Sequence, residues 1–160
     1  IQRTMQFHII AVGRFGSGRA HAAEKDVFDG FVRRIKPQLK LIEVEEKRPL
    51  PVPARMVAEG TKLLAAIRQG AFVVAMDERG RELSSIQFAK KLGDLRDDGR
   101  RDVAFIIGGA DGLDESVRKR ADLLLGLGAM TWPHMLVRAM LAEQIFRAQS
   151  ILAGHPYHRA

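Results

Sequence analysis

Five times along this chain a short run suited to a strand gives way to a longer segment with apolar residues at helical spacing. "FHIIAV" (7–12) and "AFVVAM" (71–76) are continuously apolar, and "DVAFIIGG" (102–109) is apolar until it meets two glycines. A strand with one wet face alternates apolar and polar residues, so an unbroken apolar run needs cover on both faces. "LKLIEVEE" (39–46) alternates, and "LLLGLGAM" (123–130) is a short buried strand. Between these lie helical patterns at 20–35, 54–70, 84–99, 114–122 and 133–152. Alternation of this kind with short links predicts an α/β fold, a mainly parallel sheet sandwiched by helices. The loops between them are read at 48–53, "RPLPVP", and at 77–83, "DERGREL"; Gly70 is read as a helix stop and Asp114 as a helix cap. The 160 residues are expected to form a single domain, 1–160.

In sheets of this type ligands bind beyond the carboxyl ends of the strands. Those ends carry Gly13, Met76–Asp77, Gly108–Gly109 and the stretch from Gly128 to Trp132. "GRFGSGRA" (13–20) has the spacing G-x-x-G-x-G, which is not the dinucleotide fingerprint, and no P-loop is present. It is read as a flexible turn. "IIGGADGLD" (106–114) puts two glycines at a strand end, where a missing Cβ lets a ligand approach the backbone. In "LGLGAMTWPHMLVR" (125–138) glycines again follow a strand, and Pro133 suits the first position of a helix. His134 and Arg138 are four apart and share a helix face, while Val137, Met140, Leu141, Ile145, Ala148 and Leu152 read as its core stripe.

Several chemistries are excluded. With no cysteine there is no disulfide, thiol nucleophile or thiolate zinc site. His155 and His158 have no accompanying carboxylates and there is no H-E-x-x-H, so no metal is expected. No G-x-S-x-G elbow supports a serine hydrolase. No apolar run approaches the roughly 20 residues of a membrane span. The opening "IQRTMQFHIIAVGRF" is too short and too polar for a secretory leader, and is read as a first strand in a cytoplasmic protein. Met5 suits a native start, which makes residues 1–4 an expected extension. The net charge of +7 favours a polyanionic partner, RNA or DNA first.

"IIGGADGL", then "GAMTWPHMLVRAMLAEQIFRA", then "HPYHR" at the end of the chain, in this order and spacing, resemble one family closely. It is the bacterial large-subunit ribosomal RNA methyltransferases that modify N3 of a pseudouridine, part of the SPOUT class of S-adenosylmethionine-dependent enzymes. The likeness runs from "FHIIAVG" to the terminus. It implies a C-terminal trefoil knot, a homodimer, S-adenosylmethionine as cofactor and 23S rRNA of the assembled ribosome as substrate. Ordinary topology rules argue against a knot. The family's cofactor positions fall on Met76, Gly108, and Leu127, Gly128, Ala129, Met130, Thr131 and Trp132. These are the strand-end loops already singled out. Met130 and Trp132 stand where the related proteins mostly have leucine, and Gly128 where serine is frequent.

The closing "HPYHRA" is poor filler for a loose end. Tyr157, His158 and Arg159 are the expected catalytic residues. Tyr157 would stack on or hydrogen-bond the base, His158 take its proton, and Arg159 steady a phosphate or the developing anion. The bland alternative has His155 and Tyr157 merely packing the last helix. His134, Arg138 and His155 are the expected substrate contacts, with Arg14, Arg19, Arg138 and Arg159 as candidate phosphate ligands. The rival functions are a non-catalytic ribosomal RNA-binding module and a small α/β nucleotide-binding enzyme. Neither accounts for glycine-lined strand ends beside an "HPYHR" tail without a P-loop.

Overall fold

The computed structural model describes residues 4–158, and of His158 the backbone alone. Arg159 therefore lies outside the described residues. The elements in order are β1 (Gln6–Val12), α1 (Ala22–Arg34), β2 (Lys40–Val44), α2 (Val52–Ala65), β3 (Phe72–Glu82), α3 (Ser85–Asp97), β4 (Asp102–Ile107), α4 (Glu115–Arg120), β5 (Leu123–Gly126) and α5 (His134–Leu152), then a 3₁₀ turn, Pro156–His158. The five strands form one parallel sheet in the order β2-β1-β4-β3-β5.

The apolar runs earn their burial on both faces. Phe7, Ile9 and Ala11 of β1, with Val103, Phe105 and Ile107 of β4, pack under α1, α3 and α5. Ile10, Val12, Ala104 and Ile106 face the other way, toward Leu63 of α2 and Val117 of α4. Helix boundaries follow local chemistry. Ser84 and Gln87 form a reciprocal capping box on α3, and the Asp114 carboxylate caps α4 through Ser116 N–H. Pro53 sits inside the first turn of α2, where its missing N–H is harmless, so the expected loop at 48–53 ends early. That helix stops at Ala65, before Gly70, whose φ of +80° turns the chain into β3.

The 77–83 segment departs from expectation. Residues through Glu82 belong to β3: Leu125 pairs with both Met76 and Arg81, and Gly126 with Glu82. The chain leaves the sheet at Asp77, loops out, and returns beside the same strand. Glycine is obligatory there, because a Cβ on Gly80 would stand 2.7 Å from the carbonyl carbons of Leu124 and Leu125. The strand read at 123–130 ends at Gly126, and the next residues form the loop into α5. No helix among the described residues is long and apolar enough to cross a membrane.

Candidate active site

The excursion of β3 after Met76 and the carboxyl ends of β4 and β5 open into one cavity of about 620 Å³. Met76, Gly108, Leu127, Gly128, Met130, Thr131 and Trp132 all line it; of the expected cofactor positions only Ala129 does not. His134 and Val137, in the first turn of α5, complete the wall. The volume falls within the ~300–1,000 Å³ typical of small-ligand pockets.

The loops are shaped by glycine. Gly109 and Gly112 bridge each other across the turn after β4. A Cβ on Gly108 would lie 2.8 Å from Gly112 O and 3.0 Å from Leu113 Cδ2. The bare Cα at Gly108 thus serves the loop's own closure, and the space beside it is filled by protein. Gly128, at φ +105°, makes the turn between β5 and the run to Pro133. Around this frame sit charges to which the sequence reading assigned no role. The buried Asp77 carboxylate pairs with Arg118 of α4 and accepts a hydrogen bond from the Arg79 backbone N–H at 2.8 Å. Glu78 accepts from the Thr131 hydroxyl at 3.0 Å, which ties the β3 excursion to the β5–α5 loop. Asp111 is held by Arg55 of α2, which raises the guanidinium pKa. Asp77 carried a signal, a carboxylate directly after an apolar run. Nothing in "DESVRKRAD" separates Arg118 from Lys119 and Arg120.

His134 is half-buried on the cavity wall, and its Nδ1 has no described partner. Burial, then the neighbouring Arg138, then His21 lower its pKa below the ordinary imidazole value, so it is neutral at neutral pH.

Arg138 requires a correction. It was expected to share a helix face with His134 as a substrate or phosphate contact, but it is 0% exposed. Its Nη1 donates to Glu43 at 2.6 Å, and its Nη2 to the carbonyls of Val12 at 3.2 Å and Gly13 at 3.0 Å. The Phe15 ring covers it, with the guanidinium 4.5 Å from the ring centroid. The Phe15 backbone N–H donates to the same Glu43 carboxylate at 2.8 Å. Arg138 thus fastens α5 to the end of β1 and to β2; it has no surface to offer RNA.

Tyr157 and His155 also stand away from the cavity within this chain. Tyr157 donates its hydroxyl hydrogen to Glu143 at 3.1 Å and sets its ring edge-on to Phe146 at 4.7 Å. Arg34 of α1 lies over both rings. His155 Nδ1 accepts from the Tyr157 N–H, and His155 does not line the cavity. Glu143 is six residues beyond Val137, the last residue of the cavity wall, or about 9 Å along the helix axis. No described residue past Val137 lines the cavity.

Residues 5–158 match the family described as predicted SPOUT methyltransferase. The chain belongs to the SPOUT methyltransferase family. It is 56% identical over 155 residues to the ribosomal RNA large subunit methyltransferase H of Paramagnetospirillum magneticum, covering 97% of this chain and 99% of that one. The protein of the same name from Rhodospirillum centenum is 54% identical, over 98% and 100% of the two chains. Among solved structures, a probable methyltransferase from Bordetella pertussis Tohama I shares the fold at a TM-score of 0.59 and 15% identity, over 90% of this chain and 96% of that one. The parallel sheet flanked by helices is thus the SPOUT fold. The family implies a knot. Among the described residues there is no His, Asp and Glu cluster that could hold a metal.

Proposed function

We propose that this SPOUT methyltransferase transfers a methyl group from S-adenosylmethionine to N3 of a pseudouridine in 23S rRNA of the assembled ribosome, working in the cytoplasm as a homodimer. One observation carries the reading. The excursion of β3 after Met76 and the loops after β4 and β5 converge on a single cavity at the positions where the resemblance puts the cofactor. Its apolar wall of Met76, Ile107, Leu125 and Leu127 suits a purine face, and Asp77, Glu78 and Asp111 offer acceptors to hydroxyl and ammonium groups. When bound, S-adenosylmethionine supplies an electrophilic methyl on a sulfonium.

The protein's part is placement and deprotonation. In-line displacement requires the acceptor nitrogen to be held about 3–3.5 Å from the methyl carbon. N3 carries a proton that must leave, so a base or an anion-stabilising group has to stand nearby. Neutral His134 on the cavity wall contacts the substrate base. Tyr157 orients that base, His158 takes the proton and Arg159 stabilises the anion, with His155 shaping the segment that presents them. Because Tyr157 and the cavity are apart in one protomer, the tail that completes each site comes from the second copy. An apolar groove of about 570 Å³ supports the dimer, lined by Val27, Phe31, Leu83, Leu136 and Met140 beside β5.

The test is transfer of labelled methyl to ribosomes from cells lacking the protein, followed by mass mapping of modified nucleosides. A methylpseudouridine at one position of 23S rRNA is the expected product. Calorimetry with S-adenosylmethionine and with ATP separates the rivals. Binding of ATP alone favours a nucleotide enzyme, and binding of neither favours a passive RNA-binding module.

A further inference from the structure

Ile107, Gly108 and Leu125 in the cavity wall are buried, but its rim is not. Met130 is 74% exposed and Trp132 is 40% exposed, two large apolar side chains held at the mouth in a seven-residue loop. Leaving an indole in water forfeits the burial that aromatic side chains usually obtain. The ring is nevertheless fixed: its Nε1–H donates to Leu127 O at 3.2 Å, inside the same loop. Thr131, between the two, is tethered to Glu78 at 3.0 Å. Next to Glu78 the Arg79 side chain is 78% exposed, a cation on the same rim. A rigid aromatic ring, a polarisable thioether and an exposed guanidinium, held only at 3.9 Å by Asp77, stand around one opening; these are elements with which proteins hold unstacked nucleotides.

We propose that Trp132 is the platform on which a base of the RNA stacks as the target nucleotide enters the cavity, with Met130 flanking it and Arg79 on the adjoining phosphate. The proposal rests on the function argued above and adds the residue that grips the substrate at the mouth. The geometry favours RNA as the occupant. A nucleotide reaching the strand-end loops has to cross this rim, and the chain's net charge of +7 attracts a polyanion. A base acted on by an enzyme must leave its stack, and a fixed ring at the entrance replaces the lost stacking partner.

Losing one base–aromatic stack costs about 1–3 kcal/mol, which is about 5- to 150-fold in affinity. The test is steady-state methylation of ribosomes by the full chain carrying Trp132→Ala or Trp132→Phe. Each variant is checked by calorimetry with S-adenosylmethionine and by light scattering. The expected result for Trp132→Ala is a fall in kcat/KM for ribosomes of that size, clearly larger than any fall in cofactor affinity, and an unchanged dimer mass. Trp132→Phe, which keeps a π face, is expected to recover most of the loss. Equal kcat/KM in wild type and Trp132→Ala overturns the proposal while leaving the function standing. A deficit traced to lost cofactor affinity makes the indole an adenine contact, and one traced to a halved mass makes it a subunit contact; either overturns the proposal. If the wild-type protein methylates no ribosomal RNA, the function itself fails and stacking with it.

Discussion

Replacing Arg138 by methionine tests whether the α5 arginine is a strut or a ligand for phosphate. Methionine keeps much of the volume under Phe15 but removes every donor. Glu43 then keeps only the Phe15 N–H at 2.8 Å, and the Val12 and Gly13 carbonyls each lose the Arg138 donor described above. Breaking a buried pair by deleting one partner costs about 3–5 kcal/mol. The Glu43 side chain is 21% exposed and can draw some water, so the lower end, about 3 kcal/mol, applies here. For a chain of this size that is roughly 6–12 °C in melting temperature. Changing Glu43→Gln as well removes the stranded charge while keeping an acceptor for Phe15. The double variant is therefore expected to be more stable than Arg138→Met alone, by about 1–3 kcal/mol of coupling.

The assay is urea unfolding of the two single variants and the double, with salt titration of ribosome binding alongside. A phosphate ligand would lower the salt slope by about 1 on substitution. A strut leaves the slope unchanged and lowers stability. Arg138→Met that unfolds with wild-type urea dependence, or single effects that simply add, would refute the reasoning.

Gly108→Val is expected to weaken S-adenosylmethionine binding and to destabilise the chain by about 1–3 kcal/mol, since the side chain collides with Gly112 and Leu113 of its own loop; calorimetry and thermal melting read both. Ribosome binding should fall steeply with salt as counterions are released, with Arg14 and Arg19 the described candidates for phosphate contact once Arg138 is removed from that set. The depressed pKa of His134 has a definite sign in stability. As pH falls below the ordinary imidazole value the unfolded chain binds a proton that the native chain resists, so stability drops on the acid side and is unaffected above it. His134→Gln should lose less stability than wild type between pH 7 and pH 5 in urea titrations, and equal losses would count against the assignment.

Where the sequence was legible, a local rule decided the outcome. Unbroken apolar runs need two covered faces, and β1 and β4 have them. Asp114 found its helix end because a short carboxylate competes well for free N–H groups. The cavity was legible because strand ends of a parallel sheet converge and its glycine loops fall there. Arg138 was missed by treating the i,i+4 pair as a surface feature. The sign lay in its neighbours: Met135, Leu136, Val137, Ala139, Met140, Leu141 and Ala142 leave no polar face on that part of α5, and a helix apolar all round is buried. The return of "DERGRE" to β3 had no such sign. A charged stretch without period 2 reads as loop, and only the crossing with β5 makes it a strand.

The separation of tail and cavity leads to the last prediction. Tyr157 packs on Phe146 and Glu143, and the cavity wall ends at Val137. If the tail acted within its own chain, it would have to abandon the Glu143 hydrogen bond and the Phe146 and Arg34 contacts and double back along α5. If it acts on the second copy, it need not double back along its own α5. The two cases separate when two inactive proteins are mixed. One carries Gly108→Val, with an intact tail and a damaged cavity; the other ends after Gly154, with an intact cavity and no tail. Each alone is expected to transfer no methyl to ribosomes, and the truncated chain to keep its affinity for S-adenosylmethionine. After unfolding together and refolding at equal amounts, random pairing makes half the dimers mixed. Each mixed dimer holds one site with a good cavity and a good tail, so about a quarter of wild-type activity returns. A tail that serves its own chain restores nothing at any ratio. Complete silence of the mixture, with mixed dimers shown to form, would put the tail back on its own cavity; full activity of the truncated chain alone would leave "HPYHRA" a packing element on α5.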